Sequence, residues 1–194
     1  MRLWLQRHAP VLCVPGLCYG ATDLQADADA THAAAVALAR ELPAGVVLWT
    51  SPLARCVRLA RALEALRPDL GPARADARLA EMHFGAWEGR PWDTIARAEM
   101  DAWMADFADH RAGGNGESTR IFMARVQAAW ADWQGTSGHA AWITHAGVMR
   151  AIERIASGQG APAQPGDWPS APIALGAWRC VPGVPLAGRP SGAT

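Results

Sequence analysis

Three short apolar runs, each closing on polar residues, constrain this chain more than any other feature. Leu3-Trp4-Leu5 runs into Gln6-Arg7-His8, Val46-Val47-Leu48-Trp49 into Thr50-Ser51, and Ala140-Ala141-Trp142-Ile143 into Thr144-His145. Brief apolar runs bounded by polar or turn residues are the mark of buried strands. Segments of helical spacing separate them. Strands that alternate with helices build a parallel sheet with helices on both faces. The expected fold is therefore α/β: one domain, a three-layer α/β/α sandwich with a mostly parallel sheet. In such sheets ligands bind beyond the carboxyl ends of the strands, where all three polar endings fall.

The helical segments have readable boundaries. Asp27 or Asp29 is placed to cap a helix through Thr31 and His32 to Leu42, and Pro43-Ala44-Gly45 ends it. Ser51 and Pro52 read as the N-cap and first residue of a helix to about Leu66. Leu53, Val57, Ala60, Leu63 and Leu66 would form its core face, and Arg55 would lie in its first turn. Residues 75–79 read as a short strand, and 91–107 as one or two helices. Ser118 is expected to cap a helix through Trp133. A further helix should run from Ala146-Gly147 to about Ser157, and a last strand over 173–181. The domain is expected to span 1–181, with 182–194 a disordered tail on composition.

Composition removes several functions. The 18 basic residues balance the 18 acidic ones, so no net field favours nucleic acid or a membrane surface. All 18 are Arg, and the chain has no Lys. That excludes a Schiff-base lysine, a Walker-type phosphate lysine and a kinase strand lysine. Cys13, Cys18, Cys56 and Cys180 lack C-x-x-C or zinc-finger spacing. The residues six places after them are Tyr19, Leu24, Ala62 and Leu186, so none has the Arg of a cysteine phosphatase. Reduced, mostly buried thiols are expected. The histidines show no metal-ligand spacing, so neither metal nor cofactor is expected. The N-terminal stretch lacks an apolar core with a small-residue cleavage site, and no run is long enough to span a bilayer. The expected location is cytoplasmic.

The three strand endings bring Arg7, His8, Arg55 and His145 to one edge. Two guanidinium forks and a histidine make a pocket for a dianionic phosphoryl group. The helix beginning at Ala146 adds backbone N–H groups and its positive dipole end. The remaining histidine is free as nucleophile. Phosphoryl transfer also needs an acid for the leaving oxygen, and Glu81 and Glu88 are the two candidates. Taken singly, each residue has an ordinary reading: Arg55 a solvated helix arginine, His145 a satisfied core histidine, Glu88 a turn acceptor.

Together these residues resemble the histidine phosphatase superfamily, also called phosphoglycerate mutase-like. The resemblance rests on Leu5-Gln6-Arg7-His8-Ala9, Gly20-Ala21-Thr22-Asp23 and Thr50-Ser51-Pro52-Leu53-Ala54-Arg55. It continues through Leu79-Ala80-Glu81, Phe84-Gly85-Ala86-Trp87-Glu88-Gly89, Gly116-Glu117-Ser118 and Thr144-His145-Ala146-Gly147. It implies that His8 attacks phosphorus to give phosphohistidine, that Arg7, Arg55 and His145 hold the phosphoryl oxygens, and that Glu81 serves as proton donor. The apolar neighbours Met82, Phe84 and Trp87 would favour the protonated carboxyl, and a nearby Arg would oppose them.

The chain departs from the family pattern after the nucleophile. Ala9, Pro10 and Val11 stand where Gly, Glu or Gln, and Thr are usual, and Val11, Leu12, Val14 and Leu17 replace the polar loop of mutases. This favours a phosphatase acting on a small phosphorylated metabolite over a mutase-type phosphotransferase. Cys18-Tyr19-Gly20-Ala21-Thr22-Asp23-Leu24 is similar to the loop of α-ribazole phosphatases, with Tyr19 and Gly20 as candidate substrate contacts. A non-catalytic phospho-ligand binder on the same fold is the rival class.

Overall fold

The computed structural model describes residues 1–136 and 138–183. The apolar runs become β1 (Arg2–Arg7), β2 (Val47–Thr50) and β4 (Ala140–Thr144). A two-residue β3 (Arg74–Ala75) and a final β5 (Trp178–Pro182) complete a five-stranded sheet of order β3-β2-β4-β1-β5. All neighbours are parallel except β5, which runs antiparallel to β1 at the edge. Every residue of the central β4 is buried, as expected for a strand covered on both faces.

Helices α1 (Ala28–Glu41) and α2 (Ala54–Leu66) cover one face, with Leu38, Leu59 and Leu63 packed on Trp4, Leu48 and Ile143. Helices α4 (Thr119–Gln134) and α5 (Ala146–Ala156) cover the other, where Phe122, Val126 and Ile152 meet Leu3, Leu5 and Trp142. The alternation of Leu3, Trp4 and Leu5 between the two cores follows from the two-residue period of a strand. Helix α3 (Arg97–Ala105) lies in the long connection before α4. The two expected caps form: Asp27 Oδ1 accepts from Ala30 N at 2.8 Å, and Ser118 Oγ accepts from Ile121 N at 3.3 Å.

Register sets the site. Arg7 pairs with Thr144, and Thr50 with Ile143. Beyond the ladders, His8 N donates to Thr144 O at 3.0 Å and Ser51 N to Ile143 O at 2.9 Å. The three strand ends therefore finish level.

Several boundaries differ from expectation. Helix α2 starts at Ala54, and its cap position, Leu53, makes no side-chain bond. Asp23, from the preceding loop, supplies the carboxylate by accepting from Ala54 N at 2.7 Å. The buried face of α2 is Arg55, Cys56, Leu59, Ala60 and Leu63, and Leu66 is exposed. Arg55 turns inward because loop carbonyls and His145 satisfy its guanidinium. The strand expected over 75–79 stops at Ala75, where Asp76 accepts from Arg78 N at 2.8 Å and starts a 3₁₀ turn, Ala77–Leu79. Within 91–107, a 3₁₀ turn (Trp92–Thr94) precedes α3. The last strand begins at Trp178, since Gly176 holds a left-handed φ of 76° that breaks extension before it. Of the expected tail, Pro182 closes β5 and residues from 184 onward lie outside the described residues. Cys18 and Cys56 are buried, Cys13 is half-buried and Cys180 is exposed on the edge strand; all four are free thiols. Among the described residues, no helix is long and apolar enough to cross a membrane.

Candidate active site

Beyond the strand ends lies a cleft of about 320 Å³. Arg7, His8, Tyr19, Gly20, Arg55, Glu81 and Ala146 line it, all singled out from sequence, together with Leu17, Phe84, Trp92 and Arg150. His145 does not reach its wall.

His8 leaves β1 at the point where the chain turns into the loop. Its Nδ1 lies 2.7 Å from the Ala9 carbonyl. A carbonyl only accepts, so Nδ1 carries the proton and Nε2 holds the lone pair. Burial lowers the His8 pKa from its ordinary 6.5 to about 3, against the Ala9 hydrogen bond, and the charges of Arg55 and Arg7 add to the lowering. The ring is a neutral base throughout the neutral range.

Arg7 donates from Nη1 to the Ile173 carbonyl, while its Nε is buried with no partner among the described residues. Burial lowers its pKa, with Tyr19 and Glu81 opposing. A half-buried guanidinium at a cleft wall is suited to an anion.

Arg55 is fully buried. Its Nη1 donates to Thr22 O at 2.8 Å, Nη2 to Gly20 O at 2.6 Å and Nε to His145 Nδ1 at 3.3 Å. The Tyr19 ring covers it, 5.5 Å from the guanidinium carbon. Arg55 thereby fastens the 19–22 loop over the strand ends. Gly20 is needed there, because a Cβ would lie 1.9 Å from the Met82 carbonyl oxygen.

His145 sits beneath this layer, fully buried, its ring centroid 5.2 Å from that of His8. Since Nδ1 accepts from Arg55, Nε2 is the protonated nitrogen, and it donates to Ser51 Oγ at 2.8 Å. Cys56 Sγ lies 3.4 Å from the same Nε2. Burial first, then the Arg55 charge and the neighbouring His8, hold His145 well below its ordinary pKa.

The two candidate acids have different surroundings. Glu88 Oε1 accepts from Ala21 N at 2.8 Å and Phe84 N at 2.9 Å. Its Oε2 accepts from Thr22 N at 2.9 Å and from the Thr22 hydroxyl. Glu88 thus clamps two loops together and is absent from the cleft wall. Glu81 lines the cleft. It accepts from Met82 N and Gly147 N, each at 3.0 Å.

Sequence reasoning missed Arg150, Ser51 as a partner of His145, and Asp23 as the cap of α2. Arg150 carried a usable signal: it lies four residues after Ala146, on the same helical face. Ser51 and Asp23 had no such signal, because their partners are distant in sequence. Of the loop's apolar residues, Leu17 reaches the cleft, whereas Leu12 and Val14 are exposed to solvent. Among the described residues, no group of three His, Cys, Asp or Glu side chains is placed to hold a metal ion.

The model of the histidine phosphatase superfamily (branch 1) matches residues 3–174. A search of curated proteins finds no significant match. Among solved structures, TTHB049 from Thermus thermophilus is 31% identical, with a TM-score of 0.67, 93% of this chain covered and 93% of that one. The native mycobacterial glucosyl-3-phosphoglycerate phosphatase is 24% identical, with a TM-score of 0.76, covering 92% of this chain and 88% of that one. Its complex with inorganic phosphate is 23% identical, with a TM-score of 0.74 over 92% of this chain and 88% of that one. The family match spans the strand ends, the cleft and both acid-bearing loops, and so the chain belongs to the histidine phosphatase superfamily, branch 1.

Proposed function

We propose that the protein hydrolyses small phosphomonoesters without a metal ion, through a phosphohistidine at His8. The observation that carries this is the His8 tautomer: the Ala9 carbonyl fixes the proton on Nδ1 and leaves Nε2 as a free base at the cleft wall. In the first step Nε2 attacks phosphorus, and the bond from phosphorus to the ester oxygen breaks. A proton moves from the Glu81 carboxyl to that oxygen, and the alcohol departs. In the second step water attacks phosphorus, Glu81 takes a proton from it, and the P–N bond breaks to release phosphate. Arg7 contributes donors that stabilise charge on the phosphoryl oxygens. Arg55 holds the covering loop and adds positive potential. His145 takes part through Arg55 Nε, whose position it fixes.

Hydrolysis is favoured over transfer to a second substrate by Leu17 and Tyr19, which put apolar surface on the cleft wall where a phosphosugar needs polar partners. The mycobacterial neighbours are named as a phosphatase. The finer reading, an α-ribazole phosphatase, rests on the similarity of residues 18–24. Free thiols agree with a cytoplasmic, reducing setting.

The test is a rapid quench. Protein mixed with 4-nitrophenyl phosphate and stopped in alkali should carry acid-labile phosphate on His8. EDTA should leave turnover intact, and His8→Ala should abolish both turnover and the label. No phosphoenzyme, together with an His8→Ala protein changed only in phosphate affinity, would establish a non-catalytic binder. Isomerisation of 3-phosphoglycerate faster than phosphate release would establish a mutase.

A further inference from the structure

A second cavity, of about 220 Å³, opens on the face of the sheet that α4 covers. Among the described residues it shares no lining with the phosphoryl cleft. Its place follows from the sheet order. Helix α4 packs over β4 and β1, and its last turns, at Ala129, Asp132 and Trp133, form one wall. The outer strands β2 and β3 extend past the helix and supply the floor.

Register builds that floor. Arg74 of β3 pairs with Trp49 of β2, and Trp49 pairs with Trp142 of β4. Paired residues of neighbouring strands point to the same face, so a guanidinium and two indoles stand in one row. Trp133 stands nearly upright beside Trp142, at 73° and 6.5 Å between ring centroids.

The charges around the cavity are unequally satisfied. Arg78 bridges the lip, 2.7 Å from Asp76 Oδ2 and 2.7 Å from Asp132 Oδ2 on α4. Both acids are thereby paired. Arg74 is exposed, and its guanidinium carbon lies 5.6 Å from the centroid of the Trp49 ring. No carboxylate pairs with it among the described residues. Stacking on an indole occupies the face of a guanidinium and leaves its N–H edge free.

These features select a guest. Indole faces in a row favour a flat aromatic body. A free guanidinium fork at the end of that row suits a carboxylate, held through two parallel hydrogen bonds. The aspartates at the lip repel further negative charge, which disfavours a phosphate dianion. A cavity of about 150 Å³ holds a benzene ring, so one of about 220 Å³ takes one ring or a fused pair. We propose that this cavity is a binding site for aromatic monocarboxylates of one or two rings, separate from the phosphoryl cleft.

Calorimetric titration of the full chain tests it. The probe is 2-naphthoate, with 2-naphthalenemethanol as its uncharged match and cyclohexanecarboxylate as the match without a flat ring. One 2-naphthoate should bind per chain, and each match should bind about fivefold or more weakly. Arg74→Gln, at an exposed side chain, should weaken 2-naphthoate about tenfold and leave 2-naphthalenemethanol unchanged. Trp49→Leu should bring 2-naphthoate down toward cyclohexanecarboxylate. Excess inorganic phosphate, which the phosphoryl cleft would take, should leave 2-naphthoate binding as it was. Absence of binding, displacement by phosphate, or unchanged affinity in Arg74→Gln would each overturn the inference. A free protein that elutes as a dimer, split by Arg74→Glu, would assign the cavity to a second copy of the chain and overturn it as well.

Discussion

Glu81 Oε2 accepts the backbone N–H of Gly147 at 3.0 Å, and that approach exists only because residue 147 has no side chain. A Cβ at Gly147 would stand 2.1 Å from Glu81 Oε1. The first turn of α5 therefore fixes the carboxylate at the wall of the phosphoryl cleft.

Gly147→Ala should displace that carboxylate and weaken proton donation. Alkyl phosphates, whose leaving oxygen needs a proton, should lose about 10–100-fold in kcat, part of the roughly 10²–10⁴-fold that a general acid contributes. Turnover of 4-nitrophenyl phosphate should change much less. Steady-state kinetics on the pair of substrates checks it, and equal losses on both would point to general disruption of the site.

Glu81→Gln and Glu88→Gln should separate cleanly. The first should slow alkyl phosphates by about 10²–10⁴-fold and spare activated aryl esters. The second removes an anionic acceptor of four donors that ties residues 21–22 to residue 84. Its cost should appear as about 1–3 kcal/mol of lost stability, read by urea denaturation, with the dependence on leaving group unchanged. A Glu88→Gln enzyme that loses activity on alkyl esters alone would reverse the two assignments.

Arg55→Lys should be far from conservative. Lys is a point charge and lacks the planar fork that reaches Gly20, Thr22 and His145 together. Losing bonds from a buried charged donor costs about 1.5–3 kcal/mol apiece. The melting temperature should drop, KM should rise as the 19–22 loop loosens, and protease cleavage within that loop should become faster. A variant with wild-type melting and KM would show that the loop is held by other contacts.

Acid should destabilise the fold through His8 and His145. Both have folded pKa values below the ordinary 6.5, and His8 lies at about 3. The unfolded chain then binds more protons, so stability is fully present above about pH 6.5 and falls as pH drops toward the folded pKa. Asp76 and Glu117, whose pKa values are lowered from 3.8 and 4.5, act in the same direction at lower pH. The window from about pH 6.5 to about 5 therefore isolates the histidines. Melting temperature should decline across it in the wild type and decline less in His8→Gln. Identical slopes would show that His8 ionises alike in the folded and unfolded chains.

Much of this protein is written locally. The strands are continuous apolar runs, and their polar endings mark one sheet edge because parallel strands point the same way. The Asp27 and Ser118 caps are equally local, since a cap acts within three residues of itself. These features determined the fold class and assigned Arg7, His8 and Arg55 to one edge of the sheet. Tertiary structure decided the rest. Whether Arg55 faced solvent or the core depended on carbonyls of Gly20 and Thr22, more than thirty residues upstream. Which glutamate met the cleft depended on Glu88 finding Ala21 and Thr22, and on Glu81 finding Gly147. The indole-lined cavity joins residues from Val47 to Trp142, and its rings have no common period. Local pattern records which side chains an element buries. It holds no record of which distant element covers them, because that is set by the mutual fit of loops once the sheet has formed.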